Sequence, residues 1–70
     1  MELIDTPNPN AKKIDTNPSL LNQDDLLKDL KEIKGVSSVF FGPNFITITK
    51  EETIEWESIN QDIINIFDKL

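Results

Sequence analysis

Cysteine, histidine, arginine and tyrosine are all missing from this chain of 70 residues. Without cysteine there is no disulfide, no thiolate nucleophile, no thiolate metal site and no cysteine-ligated iron–sulfur cluster. Without histidine, the commonest general base and the commonest metal ligand are gone. Only two glycines are present, so no glycine-rich loop can cradle a phosphate. No nucleophile stands beside a base that could activate it, and the sequence therefore predicts neither an enzyme nor a bound cofactor. Positive charge is scarce: seven lysines face 13 carboxylates, for a net charge of −6. The resulting field, at a pI near 4.3, repels phosphate backbones and argues against nucleic acid as a partner. The longest apolar run is Val39-Phe40-Phe41, far short of the ~20 residues a membrane span needs. The start Met1-Glu2-Leu3-Ile4-Asp5 has neither the basic nor the apolar region of a signal peptide, so a cytoplasmic protein without membrane contact is expected.

The apolar residues that are present fall into periodic segments separated by proline and glycine, and the length leaves room for one domain over residues 1–70. Thr6-Pro7-Asn8-Pro9-Asn10 combines two helix-blocking prolines with two turn-forming asparagines. It joins the short extended stretches Leu3-Ile4 and Lys12-Lys13-Ile14, in which Leu3 or Ile4, and then Ile14, point inward. From Asn22 to Gly35, Leu26, Leu27, Leu30 and Ile33 form one apolar stripe at the helical period. Asn22 suits the N-cap, Asp24 and Asp25 the first turn, Lys31 and Lys34 the last turn, and Gly35 the left-handed position that follows.

At Val36 the period drops to two. Val36–Phe41 and Phe45–Lys50 flank the turn Gly42-Pro43-Asn44 and read as a hairpin. Alternation places Val39, Phe41, Ile46 and Ile48 on one face, and Ser38, Phe40, Phe45, Thr47 and Thr49 on the other. A last helix is expected from an N-cap at Thr53, with Glu55 and Glu57 in its first turn and Trp56, Ile59, Ile63, Ile66, Phe67 and Leu70 on its apolar side. The order ββαββα predicts an α+β, two-layer fold: an antiparallel four-stranded sheet with both helices on one face.

Three stretches carry a resemblance: Thr6-Pro7-Asn8-Pro9-Asn10-Ala11, the run from Gly35 to Lys50 (Gly-Val-Ser-Ser-Val-Phe-Phe-Gly-Pro-Asn-Phe-Ile-Thr-Ile-Thr-Lys), and Trp56 followed by Ile59 and Ile63. Together they resemble the N-terminal domain of the Nfu-type (NifU-like) iron–sulfur cluster scaffold proteins, over nearly the whole chain. The resemblance implies a role in iron–sulfur cluster assembly. In longer family members a second domain holds the cluster through a Cys-x-x-Cys motif, which this chain lacks. What it implies here is contact with protein partners, either other assembly proteins or client apoproteins. Three positions depart from the family pattern. Lys12 stands where an apolar residue is usual and implies a shorter or more edge-like second strand; Asn44 replaces an Asp in the hairpin turn; Gln61 replaces a helix-interior proline and implies a straighter helix.

The candidate partner-binding residues are Phe40, Phe45 and Thr47 on the far face of the hairpin, with Asn8 and Asn10 in the first turn. Two phenyl rings near one another on an exposed sheet face form the kind of patch that marks contacts. Asn8 and Asn10 are read first as turn formers and second as a loop presenting amides. Trp56 is read as core. Glu51, Glu52, Glu55 and Glu57 are read as a solvated helix start, and Asp24–Lys28 and Lys28–Glu32 as surface charge pairs. A generic interaction module, and a binder of iron or another divalent cation through carboxylates, are the alternative functions.

Overall fold

The helix expected after Asn22 forms for the reasons its sequence offers. A computed structural model, which describes residues 3–17 and 21–69, shows α1 at Gln23–Glu32. Asn22 Oδ1 accepts from the Asp25 N–H at 3.2 Å, while Asn22 Nδ2 donates to Asp25 Oδ2 at 2.9 Å, so cap and first turn hold each other. Leu26 and Leu30 lie on its buried side. The helix closes at Ile33, whose N–H donates to the Leu30 carbonyl, and Gly35 follows with φ at 110°, one position later than its C′ assignment. Only glycine serves there, since a Cβ would also come within 2.8 Å of Ile54 Cγ2.

The strands are β1 (Ile4–Asp5), β2 (Ala11–Asp15), β3 (Val36–Phe41) and β4 (Phe45–Lys50), and the second helix is α2 (Trp56–Asp68). All pairings are antiparallel, in the order β1-β2-β4-β3. The fold is α+β as expected. In the hairpin, Val39 faces Ile48 and Phe41 faces Ile46, so these four share the core side as the alternation requires. Ile46, Ile48, Ile14, Leu26, Leu30, Ile59, Ile63 and Phe67 form the buried cluster, with Leu3, Val39, Phe41 and Trp56 packed around it. Of the two candidates in β1, Leu3 is thus the inward residue.

Three expectations need correction. Lys12 does not make β2 an edge strand: β2 spans five residues and runs between β1 and β4. Its lysine is accommodated because the ammonium lies 5.3 Å from the Trp56 ring centroid and 3.4 Å from Asp5 Oδ1. Nor does α2 start at Thr53. Its N-cap is Glu55, which makes no side-chain capping bond. The residues before it are used in a turn, closed by the Ile54 N–H donating to the Glu51 carbonyl, that presses Ile54 onto Gly35. Leu70, assigned to the apolar side of α2, lies outside the described residues. The ion pairs within 4 Å among the described residues are Lys12–Asp5 and Lys13–Asp15, and the pairs read along α1 are not among them.

Candidate functional site

With both helices on the core side, the opposite face of the sheet carries whatever the register sends there. Residues directly opposite in antiparallel strands share a face. Ile4 pairs with Lys13, Lys13 with Thr47, and Thr47 with Phe40, so these four cross the sheet as one row. Beside it lie Asp15 paired with Phe45, and Thr49 paired with Ser38. The Phe40 and Phe45 rings sit 6.2 Å apart at a 40° tilt, an ordinary attractive geometry for two aromatics. Phe40 is 61% exposed, and no other large apolar side chain among the described residues is exposed. Phe45 is half-buried: its ring lies over Gly42, where any Cβ would collide with it. The turn needs this glycine for room rather than for a positive φ. Lys13 Nζ stands 4.0 Å from Asp15 Oδ1 and forms the charged border of the face. The structure therefore gathers Phe40, Phe45 and Thr47 into one patch.

Asn8 and Asn10 belong to a different place. Asn10 adjoins the far end of β4 from Phe45, because the Lys50 N–H donates to the Asn10 carbonyl at 2.8 Å. Their side chains are engaged in building the turn. Asn8 Oδ1 accepts from the Asn10 N–H at 2.9 Å, and Thr6 Oγ1 donates to the carbonyls of Asn8 and Ala11. Asn10 Oδ1 accepts from the buried ammonium of Lys50 at 2.9 Å. The Trp56 indole N–H donates to the Pro9 carbonyl at 3.0 Å, which fastens the turn to the start of α2. Trp56 is accordingly half core and half fastener. Beneath the turn lies an open cleft of about 390 Å³, lined by Asp5, Thr6, Asn8, Pro9, Lys12 and Trp56 among others.

Ile4 and Lys13 on the far face, and the fastening contacts of Lys50 and Trp56 at the turn, are what sequence reasoning missed. The signal for Lys13 lay in its alternation with Ile14, but only the β2–β4 pairing says which face that alternation selects. Glu51, Glu52, Glu55 and Glu57 are all exposed, and among the described residues no three acidic, histidine or cysteine side chains converge as a metal site would require. The chain also has no thiolate and no imidazole, so its donor set does not fit an iron–sulfur cluster. No described helix is long and apolar enough to cross a membrane.

A family model described as the N-terminal region of the scaffold protein Nfu/NifU matches residues 1–70. The chain belongs to this family. A human protein named NFU1 iron-sulfur cluster scaffold homolog, mitochondrial, is 41% identical over 73 residues, covering 84% of this chain and 29% of that protein. The homologue of the same name from Drosophila willistoni is 36% identical over 76 residues, covering 89% of this chain and 26% of that protein. The chain thus spans less than a third of the length of these curated relatives. Among solved structures, a NifU-like protein from Saccharomyces cerevisiae is 27% identical with a TM-score of 0.73, covering 97% of this chain and 74% of that one. Staphylococcus aureus protein SAV1430 has the same fold, with a TM-score of 0.80 at 23% identity, covering 96% of this chain and 95% of that one.

Proposed function

We propose that this chain serves iron–sulfur cluster assembly or delivery as a non-catalytic accessory domain, acting by protein contact without holding a cluster itself. Its partners would be other assembly proteins or client apoproteins. The observation that supports this most is the sheet face opposite the helices, where Phe40 and Phe45 form an apolar island bordered by Ser38, Thr47, Thr49 and the Lys13–Asp15 pair. A buried-when-bound aromatic centre within a polar rim is how contact surfaces are commonly arranged. The chain as one domain over residues 1–70, with cluster ligation left to a separate Cys-x-x-Cys domain, is part of the same reading. So is the cytoplasmic placement drawn from the sequence; the curated relatives carry a mitochondrial label in their own names.

Two measurements test it. Anaerobic reconstitution with ferrous iron and sulfide should leave the purified chain colourless, because carboxylates and amides are poor ligands for an iron–sulfide core. A stable, stoichiometric brown protein would overturn that half of the proposal. For the other half, titration against a cluster-loaded Cys-x-x-Cys domain should show association that Phe40→Ser weakens by about 1–3 kcal/mol. Thr47→Lys, on the same face and away from the core, should weaken it too. Association unchanged in both variants would leave the face without a role.

A further inference from the structure

The two edges of the sheet differ in how they are protected. On one side β1 is two residues long, followed by Pro7 and Pro9, and its Asp5 is paired with Lys12. Short length, charge and proline are the usual means of stopping edge-to-edge pairing. On the other side β3 is six residues long, and from Gly35 through Thr49 there is no charged residue at all. The Gly42 N–H donates to the Phe45 carbonyl, so alternation along the ladder turns the N–H and C=O of Phe40 toward β4 and those of Val39 and Phe41 outward. Among the described residues, no main-chain bond outside the ladder uses Val39 or Phe41.

We propose that this open edge pairs with the same edge of a second copy, antiparallel about a two-fold axis at Phe40. In that register Val39 exchanges both of its main-chain bonds with Phe41 of the second copy, and symmetry repeats the exchange. Phe40 then stands opposite Phe40 of the second copy in the close, non-hydrogen-bonded position, and the two rings meet on the far face. The one exposed large apolar side chain among the described residues thereby gains a partner. Ser38 falls opposite Gly42, which has no side chain of its own, so the small serine meets the Phe45 ring that covers that glycine. Beyond that pair the ladder ends by itself, because the bulge between Val36 and Ser38 meets Pro43, which has no N–H to give. A two-fold pair needs the same patch on both members, and with no charge on this strand the net −6 of each copy is not brought into direct opposition at the seam. A basic extended peptide would find no carboxylate here to recognise. Pairing would also join two far faces into one continuous platform with Phe40 and Phe45 of both copies at its centre. That consequence rests on the contact role proposed above; the pairing does not.

Sedimentation equilibrium of the 70-residue chain from about 10 µM to about 1 mM should show a reversible monomer–dimer equilibrium. Amide exchange at Val39 and Phe41 should slow as concentration rises. Phe40→Lys, which sets two ammonium groups across the axis, should raise the dissociation constant at least tenfold, and Ser38→Lys on the same exposed edge should raise it as well. Gln61→Lys, which adds the same charge on α2, should leave it unchanged. A monomer throughout the range, or a dimer indifferent to both edge lysines, would overturn the proposal. If the chain stays monomeric yet Thr47→Lys still weakens the association with the Cys-x-x-Cys domain, only the pairing falls. If it dimerises while Phe40→Ser and Thr47→Lys both leave that association intact, only the contact reading falls.

Discussion

Deleting the amide of Asn10 and deleting the ammonium of Lys50 remove the same hydrogen bond but leave different remainders. Lys50 is 8% exposed and donates to Asn10 Oδ1 and to the Glu51 carbonyl, with no carboxylate within 4 Å among the described residues. Asn10→Ala strands a buried charge with one acceptor fewer, at a cost of about 1–3 kcal/mol. Lys50→Met removes the charge along with the bond, and the freed Asn10, being half-exposed, can turn to water. Chemical denaturation should therefore rank Asn10→Ala as the more damaging change; the reverse order would mean that the lysine stem, not its head, holds the turn. Ile48 is fully buried, and Ile48→Ala should cost about 2–5 kcal/mol by the same measurement. Phe40→Ser, at an exposed position, should cost well under 1 kcal/mol. Phe45 is intermediate because its ring also covers Gly42, so only Phe40 separates contact from stability cleanly.

At the scale of elements, α1 and the β3–β4 hairpin were legible in the sequence because each carries its own signals: cap, stripe and left-handed glycine for the helix, alternation and a Gly-Pro-Asn turn for the hairpin. What went unread came from contacts between elements. The start of α2 shifted from Thr53 to Glu55 because Ile54 is committed to Gly35, a contact that no local propensity encodes. The interior place of β2 was hidden by Lys12, whose charge finds Trp56 and Asp5 only once three elements meet. The patch of Phe40, Phe45 and Thr47 followed from alternation alone, whereas Lys13 and Ile4 joined that face through pairings between segments far apart or loosely patterned. The unfilled cap of α2 offers a direct test. Glu55→Ser supplies a short side-chain oxygen for the first-turn N–H groups and should stabilise the chain by about 0.5–1 kcal/mol. A melting temperature raised by about 2–8 °C is expected. No gain would mean the first turn is already satisfied by solvent.

For the whole molecule, the strand order β1-β2-β4-β3 has a consequence in time rather than in shape. Each hairpin can zip from its own turn, but the two are joined into one sheet solely where β2 meets β4, with Asp15 against Phe45 and Ala11 against Thr49. Everything between, including α1 and β3, must be gathered before that seam closes, and closure of so long a loop is the slow step in reaching such a topology. Truncating Ile14 or Ile46, which face each other across the seam, should therefore slow refolding in stopped-flow mixing. Trimming Trp56, which packs at the border of the core and fastens the finished turn to α2, should instead hasten unfolding and leave the refolding rate nearly alone. The seam between β2 and β4 thus acts as the clock of the fold, and the fastener at Pro9 as its catch.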